Sequence, residues 1–229
     1  MKNGQLTLDS YFWIVQLYSE KNRAATAPRA HPETKARILV VSSLSVIFLE
    51  TERLLFRSHA PEDEDDFVKM HTDPEVRRYV GGQAWPLEKA VRRFRTEYLG
   101  EPREVHGLWA TILKSERKFV GSCGLRLGKD EASLGYYIAR PYWGKGIASE
   151  AARAFLEVAF QRLRLSRVSA TVEKGHAISE HILRKFGFQY VSEEQIAGSG
   201  RIISTYQLLR TDWHKEHERS LVELKPANR

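Results

Sequence analysis

The sequence predicts a mixed α/β fold, in which helices flank one sheet that has a parallel portion near its centre. Three patterns support this prediction: helical segments opened by proline come first, short β-type segments then follow one another, and strands finally alternate with helices. Strands joined by short turns pair as antiparallel hairpins, whereas a strand–helix–strand connection brings two strands together in parallel. The order of the elements therefore indicates a sheet with both kinds of pairing.

The first part of the pattern contains one strand and three helices. Residues 51–59, TERLLFRSH, alternate apolar and polar side chains enough for a half-buried strand. Three segments then open with a proline and acidic residues, which are favoured at a helix N-terminus. These predicted helices are PEDEDDFVKMHTD (61–73), DPEVRRYV (73–80) and PLEKAVRRFRTEYLG (86–100), the last of which ends at Gly100.

The second part contains the remaining predicted strands and two further helices. The segments 106–113, 118–127 and 132–140 are short and β-type in composition. In IASEAARAFLEVAFQRL (147–163), apolar side chains recur at i, i+4, i+7 and i+11, which is the spacing of one helix face. The last predicted elements are a strand at 167–173, a helix at 176–187, and strands at 188–194 and 201–210.

Composition and charge favour a soluble globular protein with an anionic partner. The chain has 229 residues and a net charge of +7, which suits nucleic acid, the ribosome or a phosphorylated small molecule. The sequence has no basic stripe with interleaved aromatic side chains, so it does not favour dedicated nucleic-acid binding. The longest apolar run, 38–49, is shorter than the roughly twenty residues that span a membrane. The single cysteine, Cys123, fits a reducing cytosol, so we expect a cytoplasmic protein, monomeric or homodimeric.

Three stretches of the chain differ in character. Residues 1–47 join a short apolar segment to a polar, proline-bearing one of linker composition, and we interpret them as an N-terminal extension outside the functional domain. Residues 48–212 carry the regular pattern and form the predicted functional domain. Residues 213–229 form a C-terminal tail, which we expect to be helical and solvated.

A glycine-rich turn between a strand and a helix is the most informative stretch. In ARPYWGKGIASEA (139–151), Gly144 and Gly146 flank Lys145 just before a helix that begins near Ile147. The first amides of a helix have no partner within it, and the helix dipole adds a partial positive charge there. Glycines leave no side chain to block an anion, and the lysine adds a cation. The sequence therefore predicts a phosphate-binding turn.

Two common nucleotide-binding motifs do not fit this turn. A P-loop requires GxxxxGK[ST], but Ala139 stands where its first glycine would be, and Gly146 follows the lysine. A Rossmann fingerprint requires GxGxxG or GxGxxA, but Ser149 occupies the third position, and several strands precede the turn.

A third family fits the turn better. From Phe48 to about Leu209 the chain resembles the GNAT superfamily of acetyl-CoA-dependent N-acetyltransferases, and within it the RimJ/RimL type, which acetylates protein N-termini among other amines. Gly146 and Ala148 of WGKGIA match the family's acyl-CoA signature, [QR]-x-x-G-x-[GA], with Trp143 at the usual Gln or Arg position. The stretches LETERLLFR, TDPEVRRYVG and SEHILRKFGF are also similar, in the family's order. The resemblance implies a GNAT-like acyl-CoA N-acyltransferase fold, whose mostly antiparallel sheet contains one splayed parallel strand pair.

The resemblance also implies acetyl-CoA as co-substrate, with no metal. Backbone amides from Trp143 to Ala148 would hold the diphosphate of coenzyme A. The pantetheine arm would pair with the end of the preceding strand, where that strand splays from strand 167–173, and His176 stands where the family often has an asparagine. The implied cofactor-binding residues are Tyr136, Tyr137, Ile138, Ala139, Trp143, Gly144, Lys145, Gly146, Ile147, Ala148, His176 and Ser179.

The residues that would move protons depart from the family pattern. On the second cofactor-side helix, many relatives carry a tyrosine that protonates the departing thiolate. This chain has Leu183 at that position. Ser179 matches a serine of the RimJ/RimL type that would reach the sulfur, although a helix-surface serine is the alternative interpretation. Tyr190 is the second candidate acid. The usual glutamate base is absent from its place, so Glu131 nearby and His106 at a strand start are the candidate bases.

The expected activity is that of an N-acetyltransferase, an acyltransferase for groups other than aminoacyl groups, in which an amine attacks acetyl-CoA directly in a ternary complex. The acceptor would be a small-molecule amine or a protein N-terminus, bound by the early helices (61–100) and the loop at 194–201. At pH 7 an α-amine of pKa about 8 needs roughly 1.4 kcal/mol to lose its proton, against roughly 4.6 kcal/mol for a lysine amine. A site without an evident base therefore favours α-amines. The alternative is a non-catalytic module that binds acyl-CoA.

Overall fold

One eight-stranded sheet forms the centre of the protein in the computed structural model, which describes residues 47–99, 107–128 and 131–213. The strands, in chain order, are β1 (Ile47–Glu50), β2 (Leu54–Arg57), β3 (Gly107–Leu113), β4 (Lys118–Leu127), β5 (Glu131–Ile138), β6 (Arg167–Glu173), β7 (Gln189–Gln195) and β8 (Ile202–Leu209). They lie side by side in the order β1-β2-β3-β4-β5-β6-β8-β7. The β7 strand therefore forms one outer edge, and β5 and β6 lie next to each other inside the sheet.

The pairing of β5 with β6 is parallel, whereas the other neighbouring strands in the described part of the chain pair antiparallel. The parallel ladder extends only from Glu131 opposite Arg167 to Ser133 opposite Ser169. In contrast, β5 stays paired with β4 as far as Ile138. The two parallel strands thus separate beyond residue 133 and leave a gap between them. These observations confirm the predicted mixed sheet with a splayed parallel pair.

Five α-helices with bounds inside the described residues lie around the sheet, and helical residues at 210–213 follow β8. The five helices are α1 (Glu64–Thr72), α2 (Pro74–Arg77), α3 (Leu87–Arg93), α4 (Ile147–Glu157) and α5 (Ala177–Lys185). The helices α3 and α4 each continue into a short π-helical segment, at Phe94–Tyr98 and Val158–Arg162. Hydrophobic periodicity predicts the helices but gives no sign of these wider turns.

The two faces of the sheet carry separate hydrophobic cores, because side chains alternate along each strand. On one face, Phe56 of β2 packs with Phe155 of α4, and Leu183 of α5 is buried in the same cluster. On the other face, Phe67 of α1 packs with Phe94, next to α3. Helices α4 and α5 therefore cover one face of the gap region, and helices α1 and α3 cover the opposite face.

Two features at the ends of the described range differ from the predictions. The strand β1, which overlaps the end of the apolar run 38–49, was not among the predicted strands. The predicted domain boundary at residue 212 excludes Trp213, but that side chain is 3% exposed and its ring lies near those of Phe160 and Phe186. The predictions for residues 1–46, for the end of a helix at Gly100 and for the tail beyond Trp213 fall outside the described residues. None of the helices in the described ranges combines the length and apolar character needed to cross a membrane.

Candidate functional site

The turn between β5 and α4 adopts a conformation that glycine favours. Gly144 and Gly146 have φ angles of 73° and 74°, in the left-handed region that side-chain-bearing residues rarely adopt. A Cβ added at Gly144 would meet no atom within 4 Å, so the turn is open on that side. Lys145 stands between the glycines, with its Nζ 5.2 Å from the ring centre of Tyr142. The turn therefore presents bare backbone to its surroundings, with a cation beside it.

Backbone amides at the start of α4 lack hydrogen-bond partners among the described residues. In the described part of the chain, the amides of residues 144–149 donate to no protein acceptor, whereas that of Glu150 donates to the oxygen of Gly146 at 3.0 Å. The amide of Trp143 differs, because it donates to the oxygen of Arg140 at 3.1 Å. The available amides thus begin at Gly144, one residue later than the sequence predicts. The side chain of Ile147 is buried and anchors the helix start, while Ala148 packs against the same core.

The turn is held in place by the connection between β1 and β2. The carboxylate of Glu150 accepts hydrogen bonds from Thr51 Oγ1 at 2.6 Å and from the backbone amide of Arg53 at 3.0 Å. The Arg53 guanidinium pairs with the same carboxylate and also donates to the oxygen of Lys145 at 2.9 Å. Burial would raise the pKa of Glu150, but these hydrogen bonds outweigh it and lower the pKa. Glu150 therefore fixes the open turn and remains ionised at neutral pH.

The backbone of β5 offers hydrogen-bonding groups to the gap. The amide of Ala139 donates to the oxygen of Val120 beside β4. Because bonded and non-bonded pairs alternate along an antiparallel ladder, the backbone groups of Tyr136 and Ile138 point the other way, toward β6. No ladder to β6 extends that far. The predicted pairing with a pantetheine arm thus narrows to Tyr136 and Ile138, since Tyr137 and Ala139 face β4.

The indole of Trp143 occupies one of these groups. Its Nε1 donates to the oxygen of Ile138 at 2.7 Å. A carbonyl oxygen has two lone pairs, so this bond leaves one acceptor site on Ile138. Trp143 stands where the family signature has Gln or Arg, and here it joins the end of β5 to the turn.

Two hydroxyl groups meet across the gap on the α5 side of the sheet. Tyr136 of β5 and Ser179 of α5, the helix that follows β6, are hydrogen-bonded at 2.9 Å between their oxygens. Ser179 is 7% exposed, which overturns the alternative that it is a helix-surface serine. Burial raises the pKa of Tyr136 to about 12, although the bond to Ser179 opposes that shift. Tyr136 therefore keeps its proton at neutral pH.

Two of the other predicted proton-transfer residues, Glu131 and Tyr190, do not lie in the gap. Glu131 pairs with Arg167 at 2.5 Å, at the closed end of the β5–β6 ladder, and this position argues against a role as base. Tyr190 lies on the outer edge strand β7 and is 55% exposed, with β8 and β6 between it and the gap. The sheet order therefore argues against Tyr190 as the acid. His106 lies outside the described residues.

His176 connects the two sides of the site. It precedes α5, and its ring is stacked on that of Tyr79, with 4.4 Å between ring centres and 4° between planes. Burial lowers the pKa of His176, although Glu173 and Glu180 oppose the shift. The stack joins the α5 side of the gap to the segment after α2, which belongs to the predicted acceptor region.

The opposite face of β5 meets residues that the sequence did not single out. The ring centre of Tyr137 is 5.9 Å from that of His71, on α1. Arg77, at the end of α2, lies with its Cζ 4.4 Å from the ring centre of Trp85. An Arg in an otherwise unremarkable helix start, TDPEVRRYVG, gives no sequence signal for burial. Likewise, nothing in the sequence pairs Tyr136 with Ser179, because the two are 43 residues apart.

Comparison with known families identifies a match over much of this structure. Residues 53–189 match the model of the acetyltransferase (GNAT) domain family. The chain is also 30% identical over 170 residues to the protein from Bacillus licheniformis called uncharacterized N-acetyltransferase p20, covering 69% of this chain and 92% of that relative. Both matches include β5, the turn and α4.

Solved structures share the fold. The GNAT-family acetyltransferase from Bacillus anthracis superposes with a TM-score of 0.63 at 22% identity, covering 72% of this chain and 99% of that one. Spermidine N-acetyltransferase from Vibrio cholerae, in complex with CoA and spermine, superposes with a TM-score of 0.57 at 15% identity, with coverages of 72% and 99%. These similarities confirm the predicted fold class.

Proposed function

Because this chain belongs to the GNAT acetyltransferase family, we propose that it transfers the acetyl group of acetyl-CoA to a primary amine, on a protein N-terminus or on a small molecule. One observation carries the proposal: unpartnered amides at residues 144–149 lie directly after the strand that splays from β6. The RimJ/RimL type belongs to the proposal, and the stretches YWGKGIASEA and TDPEVRRYVG support it. Relatives named N-acetyltransferases support the reaction class.

The residues of the turn fit the diphosphate of coenzyme A. The amides of residues 144–149 have no competing acceptor, and neither glycine has a side chain that would fill the space. A hydrogen bond to a charged acceptor contributes about 1.5–3 kcal/mol, so several of them together would hold the diphosphate firmly. Lys145 adds a positive charge at the same place. The gap-facing backbone of Tyr136 and Ile138 would extend the binding site along the pantetheine arm.

The proposed reaction joins the amine nitrogen directly to the acetyl carbon. The neutral amine attacks the thioester carbonyl, a C–N bond forms, the C–S bond breaks, and the nitrogen loses one proton while the sulfur gains one. The amide of Ile138 faces the gap, where it would donate to the oxygen that becomes negative during the attack. The products are the N-acetylated acceptor and free coenzyme A.

The Tyr136–Ser179 pair is the proposed partner of the departing sulfur. The hydroxyl of Tyr136 stays protonated because its pKa is about 12, so it remains a hydrogen-bond donor throughout the reaction. It would stabilise the thiolate directly or through Ser179, to which it is bonded. This pair would take over the role of the tyrosine that many relatives carry where this chain has the buried Leu183.

The proposed mechanism needs no base from β5. Glu131 is engaged with Arg167, so we propose that the amine releases its proton to solvent before it attacks. An α-amine of pKa about 8 is neutral in about a tenth of molecules at pH 7, whereas a lysine amine of pKa about 10.4 is neutral in fewer than about one in a thousand. The proposal therefore favours α-amines.

Thiol release from acetyl-CoA tests the proposal. The purified protein is incubated with acetyl-CoA and, separately, with N-terminal peptides, amino acids, their amides and small amines, while binding of coenzyme A is measured by calorimetry. We expect release above the no-amine background with at least one α-amine. Binding of coenzyme A without release from any amine would contradict the enzyme and favour the non-catalytic acyl-CoA-binding module.

A further inference from the structure

Arg77 is a buried cation without a counter-ion among the described residues. Arg77 is 7% exposed, and no carboxylate of the described residues forms an ion pair with its guanidinium. Its Nε has no hydrogen-bond partner. Buried arginines are ordinarily paired, because the loss of hydration is costly when nothing compensates it. An uncompensated guanidinium inside a protein therefore points to an anion that binds there.

The groups around Arg77 increase the positive potential. Burial is the largest cause of the lowered pKa of Arg77. The positive charges of Arg93 and Arg201 lower that pKa further. Each of these two arginines already has a carboxylate of its own: Arg93 pairs with Glu97 at 2.5 Å, and Arg201 pairs with Glu173. Among the described residues, Arg77 has the ring face of Trp85 and the electrostatic influence of Tyr137 and Tyr98 in its favour, but no carboxylate.

A second buried polar group lies in the same place without partners. His71 is 1% exposed, and neither its Nδ1 nor its Nε2 has a hydrogen-bond partner among the described residues. The ring is stacked on Trp85, with 4.4 Å between centres, and it packs against Phe67 at 4.3 Å. Burial, followed by the charges of Arg77, His59 and Arg93, lowers the pKa of His71 to about 3. His71 is therefore neutral, with one donor and one acceptor unused.

These groups lie beside the strand that lines the gap. Tyr137 of β5 interacts electrostatically with Arg77 and raises its pKa. The ring centre of Tyr137 is 5.9 Å from that of His71. Its neighbours Tyr136 and Ile138 are the residues whose backbones face the gap. Arg201 lies at the end of the 194–201 loop, in which the family resemblance places acceptor recognition. The cluster therefore lies next to the acetyl-transfer site, on the face opposite α5.

The chain around Arg77 leaves room for its guanidinium. Gly81 has a φ of 88°, and a Cβ built there would lie 2.8 Å from Arg77 Nη2. A side chain at this position would displace the guanidinium, and the backbone conformation also disfavours one. The turn after α2 thus passes close to the guanidinium at Gly81.

We propose that the amine acceptor of this protein carries an anionic group, a carboxylate or a phosphate, that binds Arg77. The proposal rests on the proposed acetyl transfer and specifies its substrate class. Arg77 supplies a planar pair of donors for the anion, Arg93 and Arg201 add positive potential, and His71 offers a neutral hydrogen-bond partner. A polyamine would bring further positive charge to this cluster, so the specificity differs in kind from that of an enzyme for spermidine.

Matched acceptors that differ in charge test the substrate class. The kcat/KM for acetyl transfer is measured for an amino acid against its amide, for 2-aminoethyl phosphate against 2-aminoethanol, for acidic against neutral N-terminal peptides, and for spermidine. Because loss of one partner of a buried charge pair weakens binding strongly, we expect the anionic member of at least one pair to exceed its neutral partner by about 30-fold or more. The three pairs separate a carboxylate from a phosphate and from an acidic peptide side chain. Equal or higher kcat/KM for the neutral members, or for spermidine, overturns the proposal.

Replacement of Arg77 separates recognition from a structural role. We expect Arg77→Met to lower kcat/KM for the anionic acceptor by about 30-fold or more, while the value for its neutral partner changes by less than about threefold. The unfolding temperature without ligand stays level or rises, because an uncompensated buried charge is removed. Arg78→Met is the control, because Arg78 is exposed and pairs with Glu75 on the surface, and it should change neither value.

A purely structural arginine would give the opposite results. Arg77→Met would then lower the unfolding temperature and reduce kcat/KM equally for both members of a pair. If Arg77→Met does not fold, Arg77→Lys keeps the charge but not the planar pair of donors, and it should raise KM for the anionic acceptor selectively. An equal effect of Arg77→Lys on both acceptors overturns the proposal.

A binding measurement separates this proposal from acetyl transfer itself. If no amine releases thiol, calorimetry with an N-acetyl amino acid and with inorganic phosphate still tests the anion site. Binding to the unaltered protein that Arg77→Met abolishes supports the site, even though the transferase proposal has failed. Absence of binding to the unaltered protein overturns the anion site.

Discussion

At the scale of single residues, burial and neighbours decide which side chains can take part in chemistry. Tyr136 and Tyr190 are both tyrosines, but one is buried in a hydrogen bond to Ser179 and the other lies exposed on an edge strand. Cys123 is buried in the sheet, and burial raises the pKa of its thiol, so it stays protonated and unreactive. The tyrosine beside the gap is thus the one we assign to the reaction.

Removal of the Tyr136 hydroxyl should slow the reaction without weakening coenzyme binding. We expect Tyr136→Phe to lower kcat by about 10- to 100-fold, because one hydrogen bond to a developing charge contributes about 1.5–3 kcal/mol. The KM for acetyl-CoA should stay within about twofold, since the strand backbone at this residue is unchanged. Steady-state kinetics with a saturating amine measures both values.

Tyr190→Phe is the matched control, because it removes the same hydroxyl from the far edge of the sheet. Its kcat should equal that of the unaltered protein. A loss in Tyr190→Phe with none in Tyr136→Phe would show that the hydrogen-bond donor to the departing sulfur has been assigned to the wrong tyrosine.

At the scale of elements, local patterns identify the strands and helices but not their contacts. The strands β4 and β6 occupy the residues that the sequence predicts, 118–127 and 167–173, because their β-type composition and flanking turns are local properties. The open turn was predictable for the same reason, since glycines and a helix start are adjacent in the chain. The hydrogen bond from the Trp143 indole to the backbone oxygen of Ile138 was not predictable, because sequence patterns do not specify a side chain's rotamer.

A negative charge in the turn should prevent coenzyme binding. Gly144→Ala and Gly144→Glu impose the same strain, because both put a side chain at a φ of 73°, about 1–2 kcal/mol. Both have room, since no atom lies within 4 Å of the Cβ position. We expect Gly144→Glu to raise the Kd for coenzyme A by at least about 30-fold over Gly144→Ala, by repulsion of the diphosphate and loss of charge-assisted bonds.

Calorimetry measures this difference, and circular dichroism checks that both variants are folded. Gly144 is preferable to Gly146 for the test, because a Cβ at Gly146 lies 3.5 Å from Arg53 Nη2, which would neutralise a glutamate. Equal affinities of the two Gly144 variants would place the diphosphate elsewhere.

At the scale of the whole molecule, the sheet order creates both halves of the site. The gap exists because β5 keeps its partner β4 while it leaves β6, and the two faces of β5 then contact different residues. One face brings Tyr136 to Ser179, and the other brings Tyr137 to Arg77 and His71. These contacts join residues far apart in the chain, so the sequence alone predicts the fold, the turn and the segments expected to bind the acceptor, but not which of their side chains meet.

The folded core should depend on Trp213, beyond the domain end that the sequence predicts. We expect Trp213→Ala to lower the free energy of unfolding by about 3–5 kcal/mol, because a large buried ring between Phe160 and Phe186 is lost. Urea denaturation measures the change. Leu87→Ala, at an exposed position, should change stability by less than about 0.5 kcal/mol. A similarly small effect of Trp213→Ala would return the boundary to residue 212.

The proposed binding of the coenzyme A diphosphate by the turn can be tested most directly by nuclear magnetic resonance. The signals of the backbone amides of residues 144–149 are recorded while coenzyme A is added. Pantetheine, which lacks the diphosphate, serves as the comparison. We expect large shifts of these amide signals with coenzyme A and small ones with pantetheine. Saturation with coenzyme A that leaves the six amide signals unchanged would contradict the proposed binding.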